Sequence, residues 1–264
     1  MTDWEAARRR RGRMGFWYRL AALILRRPLM LLTRRDWAGT EHIPEGGAVA
    51  VVNHISHFDP LALAHFLYDA GRLPRFLGKA GLFSVPVVGT ILRGAGQIPV
   101  YRESDDAAKA YSAAVEAVRA GELVAIYPEA TLTRDPDLWP MTGKTGAARI
   151  ALETGAPVIP VAQWGPQLVL PPYRKAPSLV PWRTMHLRAG PPVDLSDVVG
   201  RTVDAELLAQ VTERIMAAIT TLLEQIRGEP APAVRFDPRQ LGVPLMGDPR
   251  RSSGDSGDID RRTA

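Results

Sequence analysis

Ala48-Val-Ala-Val-Val52 is an unbroken apolar run, and Asn53-His54-Ile55-Ser56-His57-Phe58-Asp59-Pro60 follows it directly. A short apolar run ending in turn residues is the pattern of a strand covered on both faces, as in a parallel sheet. Pro60 suits the first turn of a helix, so Asp59 is the expected N-cap and 54–59 the turn between strand and helix. Working outward, residues 75–79, 97–102, 123–127, 158–163 and 184–189 also read as strands. Residues 60–69, 104–120, 145–154 and 204–227 read as helices, the last amphipathic through Leu207, Val211, Ile215, Ile219 and Leu222. This alternation predicts an α/β fold with a mainly parallel central sheet flanked by helices.

At 264 residues and 46% hydrophobic content the chain can fill a large core, which excludes disorder throughout. No Cys occurs, which excludes disulfides, thiolate metal sites and cysteine nucleophiles. The net charge of +5 is unevenly spread. Residues 1–35 carry ten Arg against Asp3 and Glu5, a local +8, so residues 36–264 sum to −3. A nucleic-acid partner calls for cations and stacking aromatics over the folded face, and none is expected here.

The basic N-terminus leads into Phe16-Trp17-Tyr18 and the apolar run Leu20–Leu25. That run is far short of the about 20 residues a membrane-spanning helix needs, and no small-residue cleavage site of a signal peptide follows. On a helical wheel Arg19 and Arg26 share a stripe, with Trp17, Ala21 and Ile24 opposite. Residues 1–35 are therefore expected to form a basic amphipathic segment on an anionic membrane surface, a peripheral position on the cytoplasmic face. Pro28 is expected to break the helix, leaving 29–35 as a separate turn. The folded domain is expected over 36–227. Residues 228–264 mix Pro, Gly, Ser and balanced charges without period, and are expected to be a disordered tail.

His54 and Asp59 are the candidate catalytic pair. Polar residues at the carboxyl end of a strand in an open α/β sheet stand where ligands bind. Five residues apart on a regular helix the two would differ by about 140° around the axis, so they must meet across the turn. There the carboxylate holds one imidazole nitrogen protonated and leaves the other as a general base. His57 reads as a surface or packing residue.

Asn53-His-x-Ser-x-x-Asp59 resembles the first motif of the glycerolipid acyltransferases, the 1-acylglycerol-3-phosphate acyltransferase type of phospholipid biosynthesis. Three further segments follow in that family's order. Gly96-Gln-Ile-Pro-Val-Tyr-Arg102 is similar to the second motif, Tyr127-Pro-Glu-Ala-Thr-Leu-Thr-Arg-Asp135 to the third, and Ala156-Pro-Val-Ile-Pro-Val161 to the fourth. Gly39-Thr-Glu-His-Ile-Pro44 and Gly78-Lys-Ala-Gly-Leu-Phe83 are familiar from it as well, so the resemblance covers roughly residues 35–195.

The resemblance implies a membrane-associated O-acyltransferase that needs neither cofactor nor metal. A thioester, acyl-CoA or acyl carrier protein, donates a fatty acyl group to the hydroxyl of lysophosphatidic acid or a related lysophospholipid. His54 is then the base and Asp59 its orienting partner. Arg102 is expected to bind the acceptor's phosphate, and Lys79, Glu129, Thr131, Arg134 and Lys144 complete the implied substrate-binding set. Two positions depart from the third motif: Ala130 stands where Gly is usual, and Leu132 replaces an Arg that holds the acceptor's phosphate. Arg134, Lys144 and Arg149 are the cations available to replace it. Ser56 lies in no Gly-x-Ser-x-Gly elbow and is not expected to be a nucleophile. Two other classes compete. One is a non-catalytic membrane-surface lipid-binding protein on a decayed acyltransferase fold; the other is a metal-dependent hydrolase using His54, His57, Asp59 and His65.

Overall fold

A computed structural model of the chain describes residues 15–100, 104–174, 176–178, 182–198, 200–245 and 247–248, with 104–107 as helical backbone only. The chain runs α1 (Phe16–Leu32), β1 (Thr33–Ala38), a 3-10 turn (Thr40–His42), β2 (Ala48–Val52), α2 (Asp59–Asp69), β3 (Pro74–Lys79), α3 (Ala80–Phe83), α4 (Val88–Gly94), β4 (Ile98–Val100), α5 (Ser104–Arg119) and β5 (Leu123–Ile126). It continues through α6 (Gly146–Thr154), β6 (Val158–Trp164), α7 (Pro166–Val169), β7 (Arg183–Ala189), a 3-10 turn (Ser196–Val198) and α8 (Ala205–Arg227). The strands form one sheet in the order β1-β7-β6-β2-β5-β3-β4. All neighbours are parallel except β6 with β7, so β7 and β1 run against the other five. The mainly parallel α/β sheet expected from the alternation is what forms.

Strand β2 shows why. Successive side chains of a strand point to opposite faces, and here both faces are covered. Val49 and Val51 pack among residues of α5, α6 and α8, while Ala48, Ala50 and Val52 pack among residues of α2. All five are fully buried. Helix α8 seals the first face and has well-formed ends: Asp204 accepts the Leu207 N–H at 2.7 Å as N-cap, and Gly228 closes the last turn in the left-handed conformation.

Three expectations are corrected. Helix α1 does not break at Pro28 but continues to Leu32, and Pro28 and Ile24 both lie exposed. The amide bond that Pro28 cannot make is therefore lost on the outer side of the helix, where it costs least. Residues 33–38 are a strand, not a turn. They pair with β7 from Thr33↔Arg183 to Ala38↔Arg188, so β1 crosses the expected 35/36 boundary. Residues 228–245 follow a defined course over the domain instead of leaving it. Ala231 N–H donates to Glu224 Oε1, Arg235 donates to Glu213 and Thr220, and the Phe236 carbonyl accepts the Thr142 N–H at 3.0 Å. These contacts supply the order that the composition did not reveal. The basic run Arg8–Arg13 and residues 249–264 lie outside the described residues.

Candidate active site

Strand β2 lies between β5 and β6, all parallel, and the chain leaves its carboxyl end for the turn 53–58. His54 Nδ1 lies 2.8 Å from Asp59 Oδ2, and the same oxygen accepts the backbone N–H of Ile55 at 2.7 Å and of Ser56 at 2.9 Å. Two backbone amides already donate to Oδ2, and the tautomer that matches this acceptor has Nδ1–H donating to it as well. His54 Nε2 is thereby left with its lone pair. Burial pushes the Asp59 carboxyl above its ordinary value, outweighing the His54 hydrogen bond and charge and the two amides that pull it down. Asp59 is completely buried and the His54 side chain 16% exposed, so only the imidazole can meet a substrate.

The expected N-cap role of Asp59 is corrected by one residue. Phe58 is the N-cap, Asp59 is the first residue of α2, and its carboxylate turns back onto the preceding turn. Ser56 is committed to that turn: its hydroxyl donates to the Leu170 carbonyl at 2.6 Å and accepts the Phe58 N–H at 2.9 Å. His57 is exposed, as expected. His65, farther along α2, points to Asp69 and packs against Trp37. Among the described residues no group of three metal-ligating side chains is arranged to hold an ion.

The loop after β5 grips the backbone of His54. Glu129 Oε1 accepts the His54 N–H at 2.8 Å, its Oε2 accepts the Met141 N–H at 3.1 Å, and the Thr133 N–H donates to the His54 carbonyl at 2.7 Å. Glu129 is buried, and that burial raises its pKa to about 8 despite the amides that favour its charge. Both oxygens are therefore engaged by backbone amides, whereas the sequence assigned this side chain to substrate.

Arg134 is likewise redirected. It is buried, and its Nη1 donates to the Tyr173 hydroxyl at 2.6 Å and the Gly247 carbonyl at 3.0 Å. Burial against the loop 171–174 and the C-terminal segment ties it to the protein's own oxygens. Leu132 is buried. Thr131 is half-buried on the same loop, while Lys144 is exposed just before α6 and Lys79 at the end of β3. Arg149 is exposed on α6, its guanidinium 5.9 Å from the Tyr111 ring. Arg102 lies outside the described residues. His54 and Asp59 are thus brought together with Glu129, and Lys79 and Lys144 remain as exposed cations.

Two features escaped the sequence reading. Gln163 and Asn53 are fully buried and exchange three hydrogen bonds: Asn53 Nδ2 to the Gln163 carbonyl, the Gln163 N–H to Asn53 Oδ1, and Gln163 Nε2 to the Asn53 carbonyl. They tie the ends of β2 and β6 together just before His54. A Gln directly after the apolar run 158–162 and before Trp164 was the available signal. The other is Tyr127, whose ring stacks on His54 with centroids 4.2 Å apart.

A family model described as Acyltransferase matches residues 34–164. The chain is 31% identical over 141 residues to a chloroplastic 1-acyl-sn-glycerol-3-phosphate acyltransferase of Brassica napus, covering 52% of this chain and 39% of that one. It is 35% identical over 125 residues to the 1-acyl-sn-glycerol-3-phosphate acyltransferase of Borreliella burgdorferi, covering 47% of this chain and 48% of that one. The matched region thus spans less than half the length of these relatives. The crystal structure of the 1-acyl-sn-glycerophosphate acyltransferase PlsC from Thermotoga maritima shares the fold, with a TM-score of 0.56 at 24% identity over 76% of this chain and 75% of that one. The family match runs from β1 to the end of β6 and so encloses the turn, the loop and both buried amides; over residues 34–164 the chain belongs to the acyltransferase family, and the relatives it resembles there are 1-acyl-sn-glycerol-3-phosphate acyltransferases.

Proposed function

We propose that the protein transfers a fatty acyl group from a thioester, acyl-CoA or acyl carrier protein, to the hydroxyl of lysophosphatidic acid or a related lysophospholipid. The observation that carries this reading is the 2.8 Å contact between His54 Nδ1 and a completely buried Asp59. Nε2 takes the acceptor's hydroxyl proton as its oxygen bonds to the thioester carbonyl carbon. The C–S bond then breaks, and the proton passes from Nε2 to the departing thiolate, so no covalent acyl-enzyme forms. Asp59 stabilises the imidazolium in between, and general base catalysis of this kind contributes about 10²- to 10⁴-fold. Lys79, Lys144 and Thr131, with Arg102 outside the described residues, are the groups that the resemblance assigns to an acceptor or donor phosphate.

Work at a bilayer surface fits the outer side of α1. Phe16, Leu23, Ile24 and Leu31 are all more than half exposed, and they fall on one stripe of the helix. No described helix is long and apolar enough to cross a membrane. Such a stripe suits a helix lying in the headgroup region on the cytoplasmic face.

The test is a panel of lysolipid acceptors, with and without a phosphate monoester, supplied with both thioester types and read by product mass. The wild-type chain should form acylated product. His54→Ala should fold, bind anionic vesicles as wild type does, and lose turnover by at least about 10²-fold. Near-normal turnover in that variant would exclude His54 as the base.

A further inference from the structure

One face of the His54 ring is covered by Tyr127. Strands β2 and β5 pair with Val51 opposite Ile126, so the residue after β5 lies beside the residues that lead into the catalytic turn. Tyr127 stacks on the imidazole with centroids 4.2 Å apart and planes 23° from parallel. Its hydroxyl is buried, and burial together with the Asp59 charge holds the phenol well above its ordinary value, with Gln163 pulling the other way. The ring is therefore neutral at any working pH. The face of a neutral aromatic ring is the negative pole of its quadrupole and attracts a cation placed over it.

We propose that Tyr127 is a positioning residue acting through His54: its ring fixes the plane of the imidazole and stabilises the imidazolium formed when the acceptor's proton is taken. The proposal rests on the reading of His54 as the base. Among the described residues, the other charged and titratable groups beside this imidazole are Asp59 of α2 at Nδ1, Glu129 of the loop after β5 at the backbone N–H, and His57 of the same turn. Asp59 meets the positive charge at the ring's edge and Tyr127 at its face. Neither duplicates the other.

The experiment compares the full chain with Tyr127→Leu and Tyr127→Phe by two measurements. One is the NMR titration of the His54 imidazole, identified by the signal missing in His54→Ala; the other is the pH profile of kcat/KM. Without the ring the protonated imidazole is less stable, so its titration midpoint and the acid limb of the profile should move to lower pH. The expected shift in Tyr127→Leu is about half a pH unit. Its kcat should fall about 3- to 10-fold at nearly constant KM, and Tyr127→Phe should follow wild type in every respect. Should Tyr127→Leu fail to fold, Tyr127→Met refills the space without a ring. A folded ringless variant whose His54 midpoint does not move would overturn the proposal, as would an equal shift in Tyr127→Phe. An acid limb that fails to track the His54 midpoint, in wild type as in the variants, would instead count against His54 as the base.

Discussion

Ala130 adopts φ +59°, in the left-handed region, where an L side chain is strained and Gly is not. It is exposed and one residue from Glu129, so the backbone path of the loop is kept even though the usual glycine is gone. Ala130→Gly should therefore raise stability, by about 0.5 to 1 kcal/mol after the extra chain entropy of Gly is subtracted. Urea unfolding monitored by circular dichroism measures it. Glu129 gives a prediction of opposite character. Burial raises its pKa from 4.5 to about 8, so between those values the native state holds a proton that the unfolded chain has released. Its contribution to stability is then complete below about pH 4.5 and is lost as pH rises to about 8. Gln does not titrate; its NH₂ cannot accept one of the two amides that Glu129 accepts, which lowers the variant's stability by an amount independent of pH. Wild type should accordingly lose stability relative to Glu129→Gln as pH is raised from 5 to 8, and a pH-independent difference between them would refute the linkage.

Helix α1 is held to the domain at three places along its length. Trp17 lies so close to Gly94 that a Cβ there would sit 2.2 Å from its ring. The Tyr18 hydroxyl donates to the Pro74 carbonyl, with Gln97 Nε2 donating to that hydroxyl at 3.3 Å. Arg26 donates to Asp69 Oδ1 at 3.2 Å, while Oδ2 accepts from Arg35 at 3.1 Å and from Trp37 at 3.2 Å. Asp69, the last residue of α2, thus fastens both α1 and β1 to the helix that begins with Asp59. Burial raises its carboxyl, but the Trp37 hydrogen bond, His65 and Arg26 outweigh it, so its pKa is low in the fold. That stabilisation is present above the usual carboxylate range and disappears as pH falls through the depressed value. At neutral pH Asp69→Ala should loosen α1 by about 1 to 2 kcal/mol. Hydrogen exchange over residues 16–32 should quicken about 5- to 30-fold, with the rates in β2 unchanged.

At the scale of the molecule, the last residue of α8 ties that helix to the sheet and to the loop after β5. The Arg227 guanidinium lies 4.0 Å from the Trp139 ring centroid and 4.4 Å from that of Trp164, and its Nη1 donates to the Asp137 carbonyl at 2.7 Å. Arg227→Ala removes two cation–π contacts and that bond, and should cost about 2 to 3 kcal/mol. The urea midpoint should fall without a change in slope. Much of this molecule was legible beforehand. The all-apolar run 48–52 announced a strand covered on both faces, and residues 53–59 announced a turn at its carboxyl end, because periodicity and turn chemistry are local properties. For the same reason His54 and Asp59, five residues apart, were recognisable as a pair. The strand 33–38 was not legible, since Thr33-Arg-Arg-Asp36 has exposed polar positions and becomes a strand through its partner β7. Nor were the roles of Glu129 and Arg134, because their partners lie 75 and 113 residues away. Charged residues in a loop read as ligand contacts until tertiary packing shows which oxygens and amides they satisfy. By itself the sequence determined the layered α/β architecture and the pairing of His54 with Asp59 across the turn. Only the tertiary structure decided which charges support that pair and which stay exposed, because burial is a property of the assembled chain.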